Sequence, residues 1–180
     1  RMTSDEKSIL GREPAAVLGR FVAEAQSSLV ALSQSAHEHQ LEAAIKILAK
    51  ARDIYLLGLG GSFPVATHLA YVLRKFGRRV VLLDGTGGSI HEQSHPATAE
   101  DALVAISFRN YYPDTARLFP ELVARNVPAS CITDSLLSPI VEGASVVFEI
   151  QDMPEPALRT LVAPMCLVQA LAIGLDLAAD

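Results

Sequence analysis

Three short stretches of this 180-residue chain carry side chains suited to gripping an anion. The first is Gly58-Leu59-Gly60-Gly61-Ser62. Its glycines allow a tight turn and close approach of the backbone to a ligand, and Ser62 adds a hydroxyl. The second is SFRNYYPDT, from Ser107 to Thr115. It offers two hydroxyls, Ser107 and Thr115, and one planar guanidinium, Arg109, whose fork matches phosphate oxygens. Tyr111 and Tyr112 are suited either to walling in a sugar or closing a lid, or to plain packing on the next helix. The third, TDSLLSP from Thr133 to Pro139, places Asp134 and Ser135 directly after an apolar run. Ser138 with Pro139 reads most simply as a helix cap and first helical residue.

A separate set of residues could move protons. SIHEQSH holds His91, Glu92 and His95, although a short polar surface helix accounts for it more simply. Glu155, ahead of the last helix, suits a capping or exposed role, and His37 and His39 lie at a junction between helices. None is placed as a catalytic base. Cys131 and Cys166 stand too far apart for a metal-ligand pair and form no disulfide framework, so they read as reduced thiols with no metal site.

The elements around these stretches explain why they would meet. Apolar residues at helical spacing predict helices over ~14–36 and ~40–52. The period then changes. Short apolar runs at 54–57, 79–84, 101–107, 129–133 and 145–150 predict five strands. Helices are expected at ~63–76, with Gly77 as stop, at ~113–126 with Pro113 at its first position, and at ~157–179; a short one opens at Ser138. Strands alternating with helices imply right-handed crossovers and a parallel sheet covered on both faces. The fold class is therefore α/β, a three-layer αβα sandwich with a five-stranded parallel sheet in flavodoxin-like order and extra helices at both ends. Ligands bind such sheets beyond the carboxyl ends of the strands, where strand order reverses. All three candidate loops follow strand ends there, and helix starts at that edge favour an anion such as phosphate.

Composition narrows the partners. Half of the residues are hydrophobic, so a sizeable core is available. The net charge is -5, and no basic run invites nucleic acid or an anionic membrane. The most apolar stretch, 161–175, is shorter than the ~20 residues of a membrane span. It reads as a buried or interface helix, and with the long first helix it predicts a homodimer or tetramer. Dinucleotide binding has Gly58, Gly60 and the strand-ending Asp84 in its favour, but Phe63 stands where the third glycine of that fingerprint belongs. No cofactor is expected.

Taken together and in this order, GLGGS, SFRNYYPDT and ITDSLLSP resemble the sugar isomerase (SIS) domain, a phosphosugar-binding fold. Enzyme-type members carry S-x-S-G-x-T after strand three. Ser107 and Thr115 match its ends, the central Ser-Gly is missing, and the loop is two residues longer. That longer form, with ILAKARDIYLLGLGGS before it and LRTLVAPMCLVQALA near the end, is similar to the effector-sensing domain of RpiR-type bacterial transcription regulators. The resemblance spans about 14–178 of the chain, giving a domain at 14–180 behind a linker or cloning remnant at 1–13. It implies a sugar-phosphate effector held by Gly60, Gly61, Ser62, Ser107, Arg109, Tyr111, Thr115, Asp134 and Ser135. It also implies a cytoplasmic protein that reaches DNA through a helix-turn-helix domain. The first 50 residues show no basic recognition face and the chain starts at Arg1 ahead of Met2, so the effector domain alone is expected. A sugar-phosphate isomerase of the same superfamily is the alternative.

Overall fold

The structure is a computed structural model in which residues 13–35, 38–150 and 159–178 are described. Five parallel strands form one sheet in the order β2-β1-β3-β4-β5: β1 Ile54–Leu57, β2 Val80–Leu82, β3 Ala102–Ile106, β4 Ala129–Thr133 and β5 Val146–Glu149. The helices are α1 Pro14–Gln34, α2 Glu38–Lys50, α3 Phe63–Lys75, α4 Ile90–Ser94, α5 Pro113–Ala124 and α6 Val162–Leu177. Strands β1, β3 and β4 are buried along their whole length, which is why their sequences are apolar runs without alternation.

Alternate strand residues feed two cores. Leu56, Val104, Ile106 and Ile132 face α2, α3 and α6, where Leu48, Leu69 and Val168 meet them. Leu57, Leu103, Ala105 and Cys131 face the other layer, with Phe119 and Leu122 of α5 and Ile90 of α4. Burial pushes the Cys131 thiol up to about 12, so it is an inert core group, while Cys166 is exposed. Local punctuation follows the sequence. Pro64 and Pro113 lie in the first turns of α3 and α5, and Gly77 takes a left-handed φ of 74° just past α3.

One expectation needs correction. No helix opens at Ser138. The connection from Asp134 to Ser145 is a chain of tight turns, with Ser138 N–H donating to Ser135 O, Val141 N–H to Ser138 O and Ala144 N–H to Val141 O. Fully buried Ile140 anchors it on one side, and left-handed Gly143 pressed against Val123 ends it, leaving no room for a regular helix. Helix α6 buries one face in the core, the first of the two readings its apolar sequence allowed. Leu167, Val168, Leu171 and Leu175 belong to the core, because α6 packs against α1, α2 and α3 together. Apolar surface is left open on both terminal helices: on α6, Val162, Ile173 and Leu177 are 41%, 50% and 69% exposed. Only Ser28 of α1 is buried, and Leu18, Val22 and Val30 are 65%, 47% and 54% exposed. By length and composition α1 is the one helix among the described residues able to cross a membrane, and α6, though more apolar, is too short, as expected. A groove of about 370 Å³ lined by Leu32, Leu41, Cys166, Leu167 and Ala170 runs between α1, α2 and α6.

Candidate functional site

Strand order reverses between β1 and β3, since β1 continues to β2 on one side and β3 to β4 on the other. The loops after these strands leave the sheet side by side. A Cβ on Gly58 would stand 2.9 Å from Ala66 Cβ and 3.5 Å from Ile106 Cβ, so a side chain there would wedge β1 away from α3 and β3. Gly60 has φ +56°, and the Tyr112 ring occupies the place its Cβ would take, with Cδ2 2.8 Å away. Tyr112 therefore packs on the glycine turn, joining the β1 loop to the β3 loop. Gly61 faces open space, and Ser62 is buried at the start of α3.

Behind the β3 loop, Ser107 is buried and its N–H continues the ladder to Ile132 O. Thr115 is fully buried on the first turn of α5, and its hydroxyl has no partner among the described residues. Neither α3 nor α5 has a side-chain cap at its start. The free N–H groups and positive dipole end of α3 therefore point to the same edge as those of α5.

The role of Tyr111 lies in Asp134. The Asp134 carboxylate accepts the Arg109 backbone N–H at 2.9 Å and the Tyr111 phenol at 3.2 Å. It also pairs with the Arg159 guanidinium at 2.6 Å. Burial, then the charge of Asp134, pushes the Tyr111 phenol above its ordinary pKa. Arg159 stacks on the Phe108 ring, 4.3 Å from its centre. Sequence reasoning misses Arg159; it sits in the tail motif LRTLVAPMC, and nothing in its local pattern marks it as a partner for a strand-four loop. The Arg109 side chain itself is exposed, and it makes no ion pair among the described residues. Ser135 closes a local turn, its hydroxyl accepting Leu137 N–H at 3.1 Å.

All nine expected residues thus lie on the carboxyl edge, with Arg109, Tyr111 and Asp134 in direct contact. The proton-moving candidates are elsewhere or outside the described residues. His91 on α4 stands 3.7 Å from Glu121 of α5. Arg125 of the following turn holds the Ser94 and His95 carbonyls, so the SIHEQSH segment is lashed to α5 as a short surface helix. His39 is exposed on the first turn of α2, while His37 and Glu155 fall outside the described residues.

The sequence model of the SIS domain matches residues 47–174, which contain every strand and all three loops. The chain belongs to the SIS domain family. An uncharacterized HTH-type transcriptional regulator of Haemophilus influenzae is 31% identical over 110 residues, 60% of this chain and 37% of that protein. The SIS chain therefore matches little more than a third of that relative's length. Among solved structures, the sugar isomerase domain of an RpiR transcription factor from Sphaerobacter thermophilus superposes with a TM-score of 0.78 at 23% identity, covering 93% of this chain and 92% of that one. The Vibrio vulnificus NanR protein complexed with ManNAc-6P gives 0.79 at 19%, covering 95% and 64%. Phosphoheptose isomerase GmhA of Neisseria gonorrhoeae gives 0.72 at 16%, covering 88% and 96%. Regulators and isomerases share this SIS fold, so the fold alone does not separate sensing from turnover.

Proposed function

We propose that this SIS domain is the phosphosugar-sensing domain of an RpiR-type transcription regulator. It binds a sugar phosphate in the crevice between the β1 and β3 loops and leaves it chemically unchanged. It acts on DNA through a helix-turn-helix domain of the full-length protein, in the cytoplasm and without a cofactor. The observation that carries this reading is the β3 loop. Where the enzyme-type pattern has a compact Ser-Gly phosphate cradle, this chain has a longer loop braced on Asp134, with a cation, Arg109, left facing solvent. The relatives support the regulator half, and the ManNAc-6P bound to NanR supports the ligand class. The test is to incubate the protein with hexose, hexosamine and acyl-hexosamine phosphates and follow each by NMR. Binding without conversion is expected. Steady conversion of any of them at an enzyme-like rate would establish the isomerase alternative instead.

The exposed face of α1 supports self-association as part of the same reading. Leu18, Val22 and Val30 leave an apolar stripe that the sheet does not cover, while Arg20 and Glu24 in mid-helix argue against a bilayer as its cover. A dimer or larger assembly is expected by light scattering at micromolar concentration, and Val22→Asp should dissociate it without unfolding the chain. A stable wild-type monomer would refute this. Leu171 on α6 is unsuitable for that test, since it is fully buried in the core.

A further inference from the structure

We infer that Asp134 is a positioning residue, braced by Arg159, that sets the shape of the loop from Ser107 to Tyr112 rather than touching the ligand itself. The inference rests on the sugar-phosphate reading above and deepens it. Both carboxylate oxygens are in use: Oδ1 accepts the Tyr111 phenol, and Oδ2 accepts the Arg109 N–H and the Arg159 guanidinium. With its side chain only 8% exposed, the carboxylate has little surface left for a sugar hydroxyl. The chain bends between its two loop donors at Asn110, which takes a left-handed φ of 66°. Asparagine tolerates that conformation better than most residues. The bend lets the amide of residue 109 and the phenol of residue 111 converge on one carboxylate. The next residue, Tyr112, then falls onto Gly60. Arg159 holds the other end of the loop by stacking on Phe108. Contacts at Phe108, Arg109, Tyr111 and Tyr112 therefore fix a loop too long to be rigid by itself, and all but the last run through Asp134 or Arg159. The extra loop length and the Asp134–Arg159 pair are thus one device. It presents the Arg109 side chain and the start of α5 to the crevice from a fixed backbone.

The discriminating residue is Arg159, which lies 50 residues from Arg109 in the chain. Hydrogen–deuterium exchange should be followed in the free protein for wild type, Asp134→Asn, Arg159→Gln and Tyr111→Phe. Exchange across Ser107–Tyr112 should rise tenfold or more in the first two variants and less in Tyr111→Phe, which removes one donor and preserves the ion pair. Calorimetric titration with ManNAc-6P and with arabinose 5-phosphate follows on the same samples. Affinity should fall tenfold or more in Asp134→Asn and Arg159→Gln. The double variant should be no weaker than the worse single one, because both act through the same brace. Unchanged loop exchange in Arg159→Gln overturns the inference whether or not a ligand binds. So does accelerated exchange with wild-type affinity retained, since the brace would then stabilise the loop without serving the site. A wild type that binds no sugar phosphate while its loop responds to both substitutions overturns the sensing reading and the positioning role for ligand, leaving the brace as a structural one.

Discussion

The two edges of the sheet each bury an aspartate against an arginine, yet they are built to different ends. At the amino edge, Asp101 has a side chain with 0% exposure. It accepts four bonds, from the Arg52 guanidinium, the Asp53 N–H, the Thr98 N–H and the Thr98 hydroxyl. Asp53 beside it is clasped by Arg79 and Arg52, and the Arg79 bond chiefly holds its carboxyl below the usual range. The segments ahead of β1, β2 and β3 are stapled together, and the buried carboxylate is fully satisfied. At the carboxyl edge, Asp134 and Arg159 form a comparable pair, but the hydroxyls of Thr115, Thr133 and Thr160 nearby in the fold are buried without partners among the described residues. The starts of α3 and α5 are uncapped. Native proteins satisfy buried polar groups almost everywhere, and under the sensing reading these spare hydroxyls are available to a ligand. On that reading the ion pair shapes the site, and the unspent donors around it are the groups left to meet a ligand.

The largest effect is expected at Asp101. Replacing it with alanine leaves the Thr98 and Asp53 amides without their acceptor, while Arg52 keeps Asp53 and Glu100, and each buried donor left unpaired costs about 1–3 kcal/mol. Asp101→Ala should lower the urea midpoint accordingly while leaving the sugar-phosphate affinity of the folded fraction unchanged. A matching loss of affinity would show that the amino edge is not merely structural and would dissolve the distinction between the two edges.

How far the sequence could see also differs between the edges. Apolar runs and helical spacing point to five strands and every long helix, because buried parallel strands and amphipathic helices write themselves into local pattern. The candidate loops are legible for a similar reason: glycines, hydroxyls and prolines at strand-to-helix junctions are local signals. The partnerships are not. Arg159 meets Asp134 across 25 residues, and Arg52 meets Asp101 across 49, through contacts that only the folded sheet creates. Tyr112 on Gly60 is of the same kind. The helix expected at Ser138 fails because a serine-proline cap signal cannot reveal that Ile140 and Gly143 are both pinned by the core side of the turn.

The smaller and sharper test concerns Arg109. Its backbone amide belongs to the brace, since Asp134 accepts it at 2.9 Å, but its guanidinium is exposed. Backbone and side chain of one residue therefore part ways, one spent on structure and one available to a ligand. Arg109→Ala leaves the amide in place, so stability should move by no more than about 0.5 kcal/mol, as for most exposed positions. If the side chain grips the phosphate, calorimetric titration should show binding weakened by about 1.5–3 kcal/mol, the scale of a charge-assisted bond. Arg109→Lys should recover only part of that, because a point charge does not reproduce the planar fork. Undiminished affinity in Arg109→Ala would assign the phosphate to the glycine turn, Ser62, Ser107, Thr115 and the two helix starts alone. The exposed guanidinium would then be left for assembly or for solvent.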